Sequence, residues 1–151
     1  PVFYGNGFLR MDVMAENSII KIAVLGAEST GKTALCEALA RHYRTVWVPE
    51  YAREYFNDSD IYNYTLEDLV TIAREQLIRE TQLLRDANRI LFSDTTLVTL
   101  KIWAELEFET TPDFIKQKLG EERYDHCLLT DNSVNWQADP LRQNKHSRDL
   151  L

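Results

Sequence analysis

The sequence contains the run Gly26-Ala27-Glu28-Ser29-Thr30-Gly31-Lys32-Thr33, from which the architecture of the whole chain follows. Two glycines separated by four residues, followed by lysine and threonine, form the pattern of a phosphate-binding loop. An apolar, β-branched run, residues 19–25, precedes this loop, and a run of helical character, residues 32–42, follows it. A strand before and a helix after are the context that the motif requires, so the sequence predicts a nucleotide site.

Each position of this loop has a physical role. Gly26 and Gly31 permit backbone angles that side chains disfavour, so that successive N–H groups can turn inward around phosphate oxygens. Lys32 adds a mobile positive charge, Thr33 offers a hydroxyl group to Mg²⁺, and the following helix points the positive end of its dipole at the anion. The alternative is a glycine turn with an incidental lysine.

Length, composition and charge restrict the class of protein. The chain has 151 residues, of which 44% are hydrophobic and 27% charged, which suits one domain with one core. Its net charge of −7 argues against nucleic acid as the main partner, because nucleic-acid binders usually carry a basic patch. We expect a small-molecule substrate, and a cationic one fits the charge.

The cysteines and histidines show no pattern of a metal or redox site. Cys36 and Cys127 fall in a predicted helix and a predicted strand, without the paired spacing of zinc ligands, and are expected to be buried and reduced. His42, His126 and His146 do not cluster with them. No apolar run approaches the roughly 18 residues of a membrane span or resembles a signal peptide. These features predict a cytoplasmic protein without membrane contact.

Strand and helix patterns alternate along the chain. The predicted strands are residues 19–25, 45–48, 90–94 and 126–131. The predicted helices are residues 32–42, 65–88, 97–107 and 111–120. Right-handed crossovers between parallel strands give a three-layer α/β/α sandwich with a parallel sheet, a P-loop NTPase fold, for which we expect the strand order 2-3-1-4.

Three sequence signals refine this outline. Thr65 and Asp68 have the spacing of a capping box at the start of the long second helix. Gly120 is expected to end the last helix. Residues 1–18 are interpreted as a flexible tail, which leaves residues 19–151 as the folded domain.

Candidate substrate residues follow the second strand. Ligands gather where the strands of an open α/β sheet end, so Glu50, Tyr51 and Arg53 are candidates for the acceptor side of the site. The alternative is a solvated helix start in which Glu50 stabilises the N-terminus. Gln76, on the long helix, is a further candidate.

The third strand ends in an aspartate. Asp94 follows the apolar run 90–92, the form of a Walker B element, and can hold Mg²⁺ directly or through water as a complement to Thr33. The alternative is a helix N-cap, because a helical run begins at Leu97.

The segment after the fourth strand contains Trp136, Asp139 and Arg142. A flexible segment with an arginine at this place in a P-loop fold would suit a lid that closes over ATP and brings positive charge to the transferring phosphoryl group. The alternative is a surface loop whose Trp136 covers the core.

Taken together, these motifs resemble the ribosylnicotinamide kinase domain of NadR-type proteins, a family of P-loop kinases. The resemblance runs from about Lys21 to Arg142. It rests on the P-loop, on Glu50-Tyr51-Ala52-Arg53-Glu54, on Asp94-Thr95 and on Trp136-x-x-Asp139-x-x-Arg142.

The resemblance implies a nucleoside-kinase-like fold and transfer of the γ-phosphoryl group of ATP to the 5′-hydroxyl of nicotinamide riboside, giving nicotinamide mononucleotide for NAD synthesis. Residues 26–33 would hold ATP and Mg²⁺, while Glu50 and Arg53 would face the riboside. Asp94 would assist the metal or the hydroxyl group. We favour Glu50 as the base, because an aspartate that ends a Walker B-like strand is better placed for the metal.

The same resemblance assigns roles to the later motifs, and this sequence departs from the family pattern at two points. Asp139 and Arg142 would belong to the lid, and Tyr51 or Trp136 would offer an aromatic face to the pyridinium cation. Residues 1–18 contain no histidine, so we expect no adenylyltransferase motif there. Family members continue beyond the position of Leu151, so we expect the kinase domain to lack its C-terminal helix and strand.

Three other functions were weighed. A deoxynucleoside or nucleoside monophosphate kinase of the same fold would differ in its acceptor. A GTPase-like switch is disfavoured, because Asn144-Lys145-His146-Ser147 lacks the aspartate that reads guanine, and because Gln117 stands where the D-x-x-G motif ending at Gly120 needs an aspartate. A regulatory module that binds ATP or NAD without turnover is the third.

Overall fold

The computed structural model describes residues 18–56, 63–131 and 133. The strands within these ranges are β1 (Ile20–Leu25), β2 (Trp47–Val48), β3 (Ile90–Asp94) and β4 (His126–Leu129). The helices are α1 (Lys32–Tyr43), α2 (Tyr51–Tyr55), α3 (Leu66–Leu83), α4 (Leu97–Phe108) and α5 (Asp113–Glu121). Strand and helix alternate largely as the sequence predicts.

The four strands form one parallel sheet in the order β2-β3-β1-β4, which confirms the predicted order. Val24 of β1 lies opposite Asp94 of β3. The carboxyl ends of these two strands therefore meet at one edge of the sheet, where the phosphate-binding loop leaves β1. The register thus brings the loop and Asp94 together, as expected of an open α/β fold.

Two buried clusters hold the layers together. Val24, Cys36 and Phe92 pack between the sheet and α1. Elsewhere α2, α3, α4 and α5 pack on one another around a larger cluster that includes Leu69 and Leu97. The predicted three-layer α/β/α arrangement is confirmed.

The ends of two helices differ from the prediction. The capping box is present, since the Thr65 hydroxyl accepts from the Asp68 N–H and the Asp68 carboxylate accepts from the Thr65 N–H. However, α3 ends at Leu83 rather than Asn88. After Leu83 the backbone hydrogen bonds join residues three apart, as in a 3₁₀ turn, for example from Arg85 N to Gln82 O at 3.2 Å. In α5, Gly120 does not end the helix, which a single interior glycine weakens without breaking.

The prediction of two buried cysteines is half wrong. Cys36 is buried, but Cys127 lies in β4 and is exposed. All four residues of β4 are exposed, and Leu129 has 81% of its surface accessible. Within the described residues β4 pairs only with β1, at the edge of the sheet, so its side chains lack the cover that a central parallel strand receives. β2 and β4 are also two residues shorter than predicted.

Among the helices of the described part, none combines the length and the apolar character that crossing a membrane demands.

Candidate functional site

Both glycines of the phosphate-binding loop occupy conformations with positive φ. Gly26 has a φ of 138° and Gly31, which caps α1, a φ of 85°. A Cβ atom on Gly26 would lie 2.2 Å from Oγ1 of Thr130 and 2.9 Å from its carbonyl oxygen. The loop therefore runs directly against the residue that follows β4, and only glycine fits at this point.

Two threonine hydroxyl groups join the loop to the end of β4. Oγ1 of Thr30 lies 2.6 Å from Oγ1 of Thr130 and donates to the carbonyl oxygen of Ala27 at 2.8 Å. Thr130 Oγ1 also lies 3.0 Å from the carbonyl oxygen of Leu25, so its single proton can serve either Thr30 or that carbonyl. The sequence analysis missed Thr130; its place directly after a strand that neighbours β1 is the signal that points to it.

Lys32 folds back onto the loop. Its Nζ donates to the carbonyl oxygens of Gly26 at 2.9 Å and Ala27 at 2.8 Å. Burial lowers the pKa of Lys32, whereas the nearby carboxylates of Glu50 and Asp94 raise it. A phosphate group in the loop would compete with two neutral carbonyl groups for this ammonium, and the charged partner gives the stronger hydrogen bond.

Thr33 and Asp94 meet at the start of α1. Oγ1 of Thr33 donates to Oδ2 of Asp94 at 2.5 Å, while Asp94 Oδ1 is buried and has no hydrogen-bond partner in the part of the chain that the structure describes. Burial raises the pKa of Asp94, and the Thr33 hydroxyl and the Lys32 ammonium oppose that rise. The residue that caps α4 is Thr96, whose hydroxyl accepts from the Val98 N–H at 3.2 Å, so Asp94 is not its N-cap.

This pair of residues fits Mg²⁺. The ion prefers oxygen ligands and is commonly held by one or two protein groups together with substrate phosphates. Thr33 supplies a hydroxyl oxygen and Asp94 a carboxylate whose Oδ1 has no hydrogen-bond partner among the described residues. No group of three or more His, Cys, Asp or Glu side chains that could hold a metal occurs in the described ranges.

Glu50 and Arg53 face the loop from the end of β2. Glu50 precedes α2 but makes no side-chain capping bond, contrary to the alternative in which it stabilises that helix. Its Oε2 lies 3.1 Å from Nε of Arg53, and both side chains line the cavity in front of the loop. Burial and repulsion by Asp94 raise the pKa of Glu50, whereas Arg53 and Lys32 lower it.

Gln76 and Tyr51 make contacts with other parts of the protein. Oε1 of Gln76 accepts from the Tyr51 N–H at 2.8 Å, and Nε2 of Gln76 donates to the Pro49 carbonyl at 3.2 Å. The guanidinium of Arg79 covers the Tyr51 ring, 4.5 Å from its centre. In the described structure, Gln76 therefore braces the backbone that carries Glu50.

The cavity in front of the loop has a volume of about 620 Å³. Part of its wall consists of Thr95, which precedes α4, and of Val98, Thr99, Ile102 and Trp103 on α4. The sequence analysis missed this wall, although residues 98, 99, 102 and 103 have the three- and four-residue spacing of one helix face.

Three of the predicted site residues, Trp136, Asp139 and Arg142, lie outside the described residues. Their assignment to a lid remains a prediction.

The assembled features are those of a P-loop nucleotide site. Over residues 21–150 the sequence matches the AAA domain family. The chain belongs to this family. The match covers the loop, Asp94, the cavity wall and the segment predicted as a lid.

Curated relatives support a narrower resemblance. The chain is 30% identical over 126 residues to the trifunctional NAD biosynthesis/regulator protein NadR of Salmonella typhimurium and equally so to that of Escherichia coli. Each alignment covers 80% of this chain, and the chain spans 30% of the length of either relative.

Solved structures agree with this result. A NadR protein in complex with NR superposes with a TM-score of 0.74 at 24% identity, covering 87% of this chain and 37% of the other. A NadR protein in complex with NAD and AMP-PNP gives a TM-score of 0.69 at 25% identity, covering 87% and 38%. The resemblance to NadR-type proteins is confirmed, and the shared fold is that of a P-loop domain with a parallel sheet.

Proposed function

We propose that this chain is an ATP-dependent kinase that phosphorylates the 5′-hydroxyl group of nicotinamide riboside and so forms nicotinamide mononucleotide for NAD synthesis. One observation carries the proposal: Lys32 of the phosphate-binding loop and Glu50, a buried carboxyl with a raised pKa, line the same cavity. A phosphate-binding group and a candidate base that line one cavity are what phosphoryl transfer to an alcohol requires.

The loop forms the donor half of the site. Its backbone N–H groups and Lys32 would bind the β- and γ-phosphates of ATP, with the dipole of α1 directed at them. The NadR protein crystallised with AMP-PNP, an ATP analogue, supports this assignment by analogy.

Thr33 and Asp94 are the residues that would hold Mg²⁺. Once bound, the ion neutralises charge on the phosphate oxygens. The hydrogen bond between Thr33 and Asp94 fixes both oxygens at the mouth of the loop. We therefore assign Asp94 to the metal and leave the acceptor proton to Glu50.

Glu50 acts on the acceptor. In a direct in-line transfer, the 5′-oxygen forms a bond to the γ-phosphorus while the bond between that phosphorus and the β,γ-bridging oxygen breaks and ADP leaves. Glu50 accepts the hydroxyl proton, and its raised pKa makes it a stronger base than an exposed carboxylate. Arg53, 3.1 Å away, holds the carboxylate in place and faces the riboside.

The nicotinamide ring would lie against the part of the cavity that α4 lines. Trp103 provides an aromatic surface there, and cations bind favourably to such faces. Tyr51, which with Trp136 is the aromatic candidate predicted from the sequence, already faces the Arg79 guanidinium. The net charge of −7 further favours a cationic acceptor, and the NadR protein in complex with NR supports nicotinamide riboside by analogy.

Trp136, Asp139 and Arg142 complete the proposal as a lid that closes over ATP and brings the Arg142 charge to the transferring group. This part rests on the sequence motif alone.

A coupled ADP-release assay tests the function. The protein is supplied with Mg-ATP and, in parallel, with nicotinamide riboside, deoxynucleosides, nucleoside monophosphates or no acceptor. We expect ADP to form at an appreciable rate only with the riboside. If ADP formed only with another acceptor, that acceptor rather than the riboside would be assigned as the substrate. If the protein bound ATP but formed no ADP in any reaction, the result would favour a regulatory module without turnover.

A further inference from the structure

Thr95 adopts a backbone conformation that its side chain disfavours. Its φ is 73°, in the left-handed region, where β-branched residues are rare and strained. The residue follows Asp94 and precedes Thr96, which caps α4. Such conformations persist where the surrounding structure enforces them, and they concentrate at functional sites.

The hydroxyl group of Thr95 is buried and makes no oriented hydrogen bond within the described structure. Thr95 as a whole is only 4% exposed. The hydroxyl lies near enough to the Asp94 carboxyl to contribute to lowering the pKa of that group. A buried and unsatisfied hydroxyl group costs free energy, so this residue combines two unfavourable features at one point of the cavity wall.

The proposed mechanism does not yet use this hydroxyl group. Asp94 Oδ1, the neighbouring unpartnered oxygen, is an acceptor that suits a cation, whereas the Thr95 O–H is a donor that needs an oxygen acceptor. Thr95 lines the same cavity as Val98, Ile102, Trp103 and the loop that would bind the phosphates. The missing partner is therefore expected on the acceptor molecule.

We propose that Thr95 is a substrate-positioning residue whose hydroxyl group donates a hydrogen bond to the alcohol oxygen that becomes phosphorylated. Thr95 lines the cavity, where the alcohol oxygen would accept from its O–H and keep its own proton for Glu50. This inference rests on the proposed kinase function and adds a residue to which neither the sequence motifs nor that mechanism gave a role.

The main test is Thr95→Val, which replaces the hydroxyl by a methyl group and retains the shape. We expect the KM for the acceptor to rise, and kcat/KM to fall, by about 3–10-fold, the usual effect of one lost hydrogen bond. The KM for ATP should not change. The melting temperature should change little, because Oγ1 of Thr95 makes no oriented hydrogen bond within the described structure.

Two variants control this experiment. Thr111 is also 4% exposed, but its Oγ1 donates to Oε1 of Glu105 at 3.1 Å. Thr111→Val should lower the melting temperature by about 2–4 °C and leave activity unchanged. Thr95→Ser keeps the hydroxyl group and should retain most of the wild-type activity.

An acceptor analogue identifies the bond itself. Nicotinamide riboside and its 5′-deoxy analogue, which lacks the reacting hydroxyl, are titrated calorimetrically into the wild-type and Thr95→Val proteins. Thr95→Val should weaken riboside binding about 3–10-fold and leave binding of the analogue unchanged. Equal weakening of both ligands, or a change in the KM for ATP alone, would overturn the proposal.

The two proposals fail in different ways. If wild-type protein phosphorylates a different alcohol, the riboside function fails, and the Thr95→Val comparison is repeated with that alcohol and its deoxy analogue. If wild-type protein uses the riboside and Thr95→Val matches it in both assays, the kinase function stands and the role of Thr95 is wrong.

Discussion

The hydroxyl group of Thr33 donates a 2.5 Å hydrogen bond to the carboxylate of Asp94, although 61 residues separate them in the chain. The sheet makes this possible, because the register that aligns Val24 with Asp94 brings the end of β3 beside the start of the loop. Two oxygen groups suited to Mg²⁺ are therefore held together by the fold itself.

Removing the hydroxyl group from this pair should affect both stability and metal use. Thr33→Val leaves the buried Asp94 carboxylate without its donor, at a cost of about 1–3 kcal/mol. We expect half-maximal activity to need roughly tenfold more Mg²⁺, in line with a loss of that size. Magnesium titrations of the ADP-release rate measure this. Thr71→Val, which removes a hydroxyl group from the exposed side of α3, is the control and should need no extra magnesium.

Lys32→Ala should abolish phosphoryl transfer. Lys32 is the one side-chain cation of the loop motif, and loss of a single group that stabilises transition-state charge lowers kcat by about 100–1,000-fold. The control is Lys101→Ala, which removes a lysine paired with Glu105 on α4. If Lys32→Ala released ADP as fast as Lys101→Ala does, the loop would have no role in phosphoryl transfer.

Glycine substitutions should act in opposite directions. Gly26→Ala places a Cβ atom 2.9 Å from the Thr130 carbonyl oxygen at a φ of 138°, which we expect to destabilise the protein by about 2 kcal/mol and to weaken ATP binding. Gly120→Ala, in α5, meets no atom within 4 Å and should stabilise the protein by about 0.5–1 kcal/mol. Urea unfolding and ATP titration of both variants measure these changes. Equal stability of the two variants would contradict the close contact between the loop and Thr130.

The pH dependence of activity should reflect Glu50. Because burial raises its pKa, the acid limb of the kcat profile should lie above the usual range of a glutamate, with activity lost as the pH falls and Glu50 becomes protonated. Arg53 lowers that pKa, so Arg53→Met should move the acid limb to higher pH. The control, Arg41→Met on the exposed face of α1, should leave it in place. An unchanged limb in Arg53→Met would assign the base to another group.

The pH dependence of stability should reflect Glu122. Burial and the neighbouring Glu80 raise the pKa of Glu122 from 4.5 to about 7. Between these values the folded protein binds more protons than the unfolded chain, so its stability falls as the pH rises through this window.

Glu122→Gln removes that dependence. Its melting temperature should exceed that of the wild type at pH 8, and the difference should shrink as the pH approaches 5. Thermal melts at pH 5, 6, 7 and 8 measure this, with Glu107→Gln, on the exposed face of α4, as the control. A constant difference across these pH values would show that Glu122 does not titrate in this range.

The sequence predicts the parts of the site that follow from local pattern and sheet geometry. The loop spacing locates β1 and α1, and the rule that ligands gather where parallel strands end brings Glu50 and Asp94 to the same edge. These inferences need only the order of strands and helices. They therefore do not depend on where α3 and α5 end, which the sequence predicts incorrectly.

Other features depend on side-chain packing that no local pattern specifies. In the sequence pattern, Gln76 is simply a polar residue beside an apolar helix face. In the structure its side-chain amide forms hydrogen bonds with the backbone of Pro49 and Tyr51, more than 20 residues away. Trp103 lines the cavity while it also packs against the buried cluster of α2, α3, α4 and α5. Cys127 is exposed because β4 lies at the edge of the sheet. Each of these follows from tertiary contacts rather than from spacing along the chain.

The central claim is transfer of the γ-phosphoryl group to the 5′-hydroxyl of nicotinamide riboside. ³¹P NMR of a reaction containing the wild-type protein, Mg-ATP and the riboside tests it most directly. We predict a new phosphomonoester signal coupled to the C5′ protons, growing at the rate at which the β-phosphate signal of ADP appears. ADP accompanied only by inorganic phosphate, or a phosphomonoester that forms with another alcohol and not with the riboside, would contradict the account.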